Sequence, residues 1–221
     1  MNKLFLFDID NTLVTTRRYD KRFERAIRKV HGAETSLPTD SLGHTDQLML
    51  AMMLGAAGLG AERIQASMPQ LLQELDLAHA DGFDATNITL LPGVQSLLDA
   101  LKARGHTLGL ITGNAASIAQ RKLGAVGIGG YFAVGGFGDD PHTTRADLVT
   151  IAIERADFQD RLDDVYVVGD TRHDIAAAHQ AGVRNSIGVS NGFRDTSELS
   201  EARFVFETLG EVRAALDTVL A

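Results

Sequence analysis

Apolar runs of four or five residues recur along this 221-residue chain, each delivering a polar group at its end, with helical patterns between them. Leu4–Phe7 runs into Asp8, Thr107–Ile111 into Thr112, and Val165–Val168 into Gly169-Asp170. A short continuous apolar run is what a strand buried on both faces looks like. The segments through Leu97, Leu98 and Leu101, from Ala115 to Leu123, from Arg145 to Ala156 and from Ile175 to Ala181 carry helical spacing. Phe132–Val134, Ser186–Val189 and Phe204–Phe206 predict further strands, and Glu211–Leu220 a last helix. Strands alternating with helices predict an α/β fold, a doubly wound parallel sheet covered on both faces. Right-handed crossovers then bring the carboxyl ends of the strands to one edge, where ligands bind in such folds.

Residues 15–86 break that alternation. Phe23, Ile27 and Val30 recur at helical spacing and stop at Gly32. Thr45 can cap a helix carrying Leu48, Met49, Met52 and Met53, with the methionines read as core, and Gly55 to Gly60 interrupts it. Ala61 to Ala80 predicts another helix with Ile64, Met68, Leu71, Leu72 and Leu75 inward. The expected organisation is an α/β core from residues 1–14 and 87–221, with a small all-helical domain at 15–86 between them.

Composition narrows the function classes. The formal net charge is −8, which argues against nucleic acid or an anionic membrane as the main partner. The chain has no cysteine, which excludes disulfides, thiolate catalysis and cysteine zinc sites and suits a reducing cytosol. Asp8 interrupts the N-terminal apolar run too early for a signal peptide, and no stretch approaches the ~18 apolar residues of a membrane span. A cytoplasmic location is therefore expected. Oligomeric state is not readable.

The chemistry starts at Asp8 and Asp10. Alternating strand side chains put both carboxylates on one face at the end of a buried strand. At about 4 Å and an effective dielectric of about 20 they repel by roughly 4 kcal/mol, so a cation or a shared proton is required. The other strand ends deliver Thr112, Gly113 and Asn114, and then Asp170 and Asp174, whose spacing places both on one face of a first helical turn. Oxygen-only carboxylate donors select a hard cation, and Mg²⁺ is the usual one beside phosphate. Thr112 offers a hydroxyl, and Gly113 allows backbone to approach a ligand closely. Of the cations that could face a phosphate, Arg145 at the start of a helix is best placed, with Lys122 and Arg121 as rivals. An EF-hand is excluded because its glycine and glutamate places hold Leu13 and Tyr19. The run Gly135-Gly-Phe-Gly138-Asp139-Asp140 lacks the Lys-Ser/Thr of a P-loop and reads as a loop near the site entrance or a plain turn.

Asp8-Ile-Asp10-Asn-Thr12, Thr112-Gly-Asn114, Arg145 and Gly169-Asp170-Thr-Arg-His-Asp174 resemble the four ordered motifs of the haloacid dehalogenase superfamily. The helical insert resembles that family's cap, and Leu90-Leu-Pro-Gly93 resembles the re-entry of its phosphoglycolate-phosphatase-like branch. The resemblance implies a Rossmann-like core and a Mg²⁺-dependent phosphatase of a small phosphorylated metabolite. It makes Asp8 the nucleophile that forms an aspartyl-phosphate and Asp10 the general acid and base. The metal would lie on Asp8, the main-chain carbonyl of Asp10, and Asp170, with Asp174 holding metal-bound water or orienting its neighbours. Thr112, Gly113, Asn114 and Arg145 would bind the phosphoryl group. Asp10 favours phosphoryl transfer over dehalogenation. Asn11 and Arg145 stand where glycine and lysine are commoner. Arg17 and Arg18 could meet an anionic substrate group or be solvated, and His44 and Asp46 could enter the site when a cap closes. A sugar phosphomutase on the same fold and a non-catalytic phospho-ligand binder are the alternative readings.

Overall fold

The structure is a computed structural model that describes residues 1–16, 21–39, 43–79, 83 and 86–221. Arg17 and Arg18 lie outside the described residues. In chain order the elements begin with β1 (Leu4–Phe7), β2 (Val14–Thr16) and three helices, α1 (Arg22–His31), α2 (Asp46–Ala56) and α3 (Ala61–Ala78). Then come β3 (Ile88–Leu90), α4 (Val94–Ala103), β4 (Thr107–Ile111), α5 (Ala116–Ala125), β5 (Val134–Gly136) and α6 (Arg145–Arg155). The chain closes with β6 (Val165–Gly169), α7 (Arg172–Gln180), β7 (Asn185–Val189), β8 (Phe204–Phe206), α8 (Leu209–Ala214) and α9 (Leu216–Val219).

Six strands form one parallel sheet in the order β5-β4-β1-β6-β7-β8. The chain winds outward from β1 in both directions, so β1 sits at the switch point between β4 and β6, where a doubly wound sheet opens a crevice. Strand alternation divides the core. Phe5 and Phe7 pack on one face with Leu97, Leu101, Leu123 and Val212, while Leu4 and Leu6 pack on the other with Val149, Ala152, Ala177 and Ala178. Phe5 also stacks on Tyr166 of β6, with ring centroids 4.6 Å apart. No described helix is long and apolar enough to cross a membrane.

The three helices between β2 and β3 bury a cluster of their own, centred on Ile27, Leu50, Met53, Leu71 and Leu75. Ala115 and Ile118 of the core join that cluster, so the helical layer rests on the start of α5. Met49 and Met53 are buried, whereas Leu48 and Met52 are exposed. Thr45 caps α2 by accepting from the Leu48 amide.

Besides Met52, which is exposed rather than core, four further local expectations differ from the structure. β2 and β3 form a small antiparallel pair across the expected boundary between the two units, and three-residue strands are too short to show a period. The fifth strand of the sheet is Val134–Gly136 rather than Phe132–Val134, because Gly135 and Gly136 lie against Leu110 and the main chain of Leu148, where a side chain would collide. The last helix is broken into two short ones at Ala215. Asp170 lies in the turn before α7 rather than in its first turn, while Asp174 is inside the helix.

Phe5 is 1% exposed and spans the inner face of the sheet. Phe5→Ala should therefore lower the unfolding free energy by about 3–5 kcal/mol, measured by urea denaturation.

Candidate active site

The nucleophile candidate is fixed by the sheet itself. The Asp8 amide donates to the Val168 carbonyl at 2.9 Å, which extends the β1–β6 pairing just past the strand end. The chain then turns sharply: the amides of Leu13 and Val14 both donate to the Ile9 carbonyl, and Asn11 takes a left-handed conformation at φ 58°. Glycine adopts that conformation freely and asparagine tolerates it better than most residues, which explains why asparagine serves here. The Asn191 side-chain amide donates to the Asn11 carbonyl at 2.8 Å and ties the turn to the loop after β7.

Four carboxylates at this edge share three cations, Asp8 and Asp174 having Arg145 in common. Arg145, the first residue of α6, donates through Nη2 to Asp8 Oδ1 at 2.8 Å and to Asp174 Oδ1 at 2.6 Å, and through Nε to Asp174 Oδ1 at 3.0 Å. Asp174 Oδ2 accepts from the amide and hydroxyl of Thr171, closing the capping box of α7. Both Asp174 oxygens are thus engaged, and its carboxylate orients Arg145. Lys122 Nζ lies 2.7 Å from both oxygens of Asp10 and 2.8 Å from Asn114 Oδ1. Its donors are used, so Lys122 partners Asp10 rather than facing a phosphate. Arg121 turns away to Asp76 on α3. Arg194, in the loop after β7, reaches Asp170 with Nε 3.2 Å from Oδ2. The sequence reading did not include Arg194, although it lies just past a sheet strand and so on the edge where the other groups meet.

Thr112 Oγ1 accepts from the Asn114 amide at 3.2 Å and from its side chain at 2.8 Å, which leaves the Thr112 hydroxyl proton free to donate to a ligand oxygen. Asn114 also donates to Asp10 Oδ2 at 2.7 Å. The bareness of Gly113 also serves the helical layer. A side chain there would meet the His44 carbonyl at 2.5 Å, so its bareness admits the main chain of the helical layer. The Asp46 amide donates to the Gly113 carbonyl at 2.7 Å, and the Ala115 amide donates to Asp46 Oδ2 at 2.8 Å. Arg145 Nη1 donates to the Gly43 carbonyl at 3.3 Å, and the His142 ring is 3.1 Å from Thr45 Oγ1. Residues 43–46 are therefore clasped by the loops that carry Thr112 and Arg145. The glycine-rich run 135–140 belongs to the same clasp, since the Gly138 amide donates to the Asn114 carbonyl and Asp139 accepts from Ala116.

A cavity of about 330 Å³ lies between the two layers. Asp8, Asp10, Thr112, Asp170, His44 and Asp46 all line it, together with Arg145, Lys122 and Arg194. Burial, with the like charges of Asp174, Asp170 and Asp10, pushes Asp8 well above the ordinary carboxylate range despite Arg145. Burial and Asp174 raise Asp170 to about 7 against the pull of Arg194. Burial also raises Asp46 to about 7. For Asp10 burial acts upward, but Lys122 and Asn114 more than offset it and hold the group below its usual value. Carboxylate oxygens of Asp8, Asp170 and Asp174 come within 4.8 Å of one another, all buried. This crowded oxygen-only set fits a hard divalent cation, whose charge would relieve the repulsion.

These shifts fix a pH dependence. Asp8, Asp46 and Asp170 hold protons in the folded protein at pH values where the unfolded chain has released them. The folded state then binds more protons, so stability falls as pH rises from the ordinary carboxylate range toward about 7. The chelator-treated protein should melt at a lower temperature at pH 8 than at pH 5.5, and added Mg²⁺ should recover part of the difference at pH 8. Scanning calorimetry at the two pH values checks this.

Comparison with known proteins places the chain. Its residues 5–189 match the haloacid dehalogenase-like hydrolase family. It is 30% identical to a probable phosphatase IndB of Dickeya dadantii, with 100% of this chain and 96% of that protein covered. It is 25% identical to a phosphoglycolate phosphatase of Pectobacterium atrosepticum, with 93% and 88% covered. The solved β-phosphoglucomutase of Clostridium difficile superposes with a TM-score of 0.72 at 19% identity, covering 100% of this chain and 98% of the other, a likeness of fold alone. With the motif residues gathered on one sheet edge and the match running through most of its length, the chain belongs to the haloacid dehalogenase-like hydrolases.

Proposed function

We propose that the chain is a Mg²⁺-dependent phosphomonoesterase acting on a small phosphorylated metabolite through an aspartyl-phosphate on Asp8. The observation that carries this reading is the pairing of Arg145 with Asp8 beside the free hydroxyl of Thr112, at the mouth of a buried carboxylate cluster. Asp8, Asp170 and the main-chain carbonyl of Asp10 would hold the metal, which when bound supplies charge stabilisation for the transferring phosphoryl group. Arg145 aims the Asp8 carboxylate and pulls against the rise that burial imposes on it, and it supplies positive charge where phosphoryl oxygens gather. Asp8 attacks phosphorus, the ester P–O bond breaks, and the leaving oxygen takes a proton that Asp10 acquires once the anionic substrate lies beside it. Water then attacks the aspartyl-phosphate, gives its proton to Asp10, and releases inorganic phosphate and free Asp8. Lys122 and Asn114 hold Asp10 in place for both transfers.

Residues 15–86 act as the cap in this reading, and the small cavity favours a compact leaving group. His44 and Asp46 are the cap side chains that face the substrate, with Asp46 also keeping the two layers together. The phosphoglycolate phosphatase named among the relatives makes phosphoglycolate the first substrate to try.

The deciding experiment is inorganic-phosphate release from a panel of phosphomonoesters, with Mg²⁺ or with chelator. Release should require the metal, and Asp8→Asn should lower it by at least about a thousandfold while leaving the fold intact. Full activity in that variant sinks the mechanism. Isomerisation of a sugar phosphate without net release would identify a mutase, and no turnover of any kind would identify a binder. Asp46→Ala should raise KM by about tenfold, through loss of the Ala115 hydrogen bond and a looser cap, with a smaller effect on kcat. Steady-state kinetics on the best panel substrate measure both.

A further inference from the structure

Asp170 holds a counter-cation that no part of the mechanism above uses. Arg194 is anchored for the task. The turn at Asn191 and Gly192 takes left-handed conformations, the Phe193 amide donates to the Ser190 carbonyl, and Asn191 is bonded to the Asn11 turn. From that fixed loop the Arg194 side chain, 16% exposed, lies along Asp170, which is 2% exposed. Its second contact, Nη1 to Glu198 at 3.7 Å, is long and lies toward solvent. The remaining Asp170 oxygen has only a 3.5 Å approach from the Thr12 hydroxyl. Arg194 is thus the closest hydrogen-bond donor to this carboxylate among the described residues.

The seat has three buried carboxylates, Asp8, Asp170 and Asp174, and two guanidiniums against them, Arg145 and Arg194. Arg145 is committed to Asp8 and Asp174. Arg194 therefore balances Asp170, the carboxylate that a divalent cation would need most directly. Two cations on one carboxylate repel each other, and a guanidinium hydrogen bond competes for the same lone pairs.

We propose that Arg194 is a positioning residue of the metal seat. It neutralises and orients Asp170 before the metal arrives, and it yields an oxygen of that carboxylate when Mg²⁺ binds. In doing so it holds the affinity for Mg²⁺ below what the carboxylates alone would give. This rests on the reading of Asp170 as a metal ligand.

The test is calorimetric titration of the chelator-stripped, full-length protein with Mg²⁺, without substrate. Arg194→Gln should tighten Mg²⁺ binding by about tenfold, because a competing cation and its repulsion are both removed. Arg172→Gln is the charge-matched control, since Arg172 is exposed at the start of α7 and makes no hydrogen bond to Asp170. It should change the affinity by less than about twofold. Thermal unfolding gives a second measurement. Metal-free Arg194→Gln should melt below the wild type, and Mg²⁺ should raise its melting temperature more than it raises that of the wild type. Unchanged or weaker binding in Arg194→Gln overturns the proposal, as does equal tightening in both variants. A wild-type protein that binds no Mg²⁺ overturns the metal reading itself, which separates that failure from failure of the role given to Arg194.

Discussion

The buried ion pair of Arg145 with Asp8 and Asp174 is the interaction on which the rest of the site depends. It joins α6 to the end of β1 and to the first turn of α7, and its third arm reaches the Gly43 carbonyl in the helical layer. Without the guanidinium, two carboxylates would face each other in a dry pocket, at a cost far larger than the pair's net contribution when intact. The pair is thus weak evidence of stability. Three secondary-structure elements are arranged so that one arginine meets two buried aspartates and offsets part of what burial does to Asp8. Arginine suits this place because its fork spans two carboxylates and a carbonyl at once, which a single ammonium could not do with the same geometry.

The division of cations follows from the same logic. Asp10 projects from a turn rather than from the strand, so it is free to find Lys122 while Asp8 finds Arg145. Two aspartates that repel each other in an isolated strand are thereby separated into two environments, one raised and one lowered in proton affinity. The proposed duties need the reverse order, with Asp8 ionised and Asp10 able to give a proton, which a divalent cation beside Asp8 and an anionic substrate beside Asp10 would favour.

Much of this was legible in the sequence, and the exceptions have physical causes. β1, β4 and β6 were readable because strands buried on both faces are continuous apolar runs, and their ends named Asp8, Thr112 and Asp170 directly. β5 was hidden because its Gly135 and Gly136 read as loop, although the bareness of Gly136 is what lets the main chain of α6 approach. β2 and β3 were too short to register. Lys122 was visible as a cation near the site, but whether it faced Asp10 or a phosphate depended on which way α5 was rotated, which spacing alone does not say. Arg194 carried no motif. Only the sheet order, which puts β7 beside β6, brings its loop against Asp170.

The contact between the helical layer and the loop at Gly113 is made largely of main-chain atoms: a bare Cα against the His44 carbonyl, and an Asp46 amide on the Gly113 carbonyl. Such a joint is indifferent to the identity of the side chain at position 44. The His44 ring hangs into the cavity from a backbone whose position is set by other atoms. If the proposed function holds, selectivity for the leaving group could be changed at that position while Asp8, Arg145 and the joint keep their geometry. The side chain at position 44 is thus decoupled from the main-chain joint that holds the two layers together.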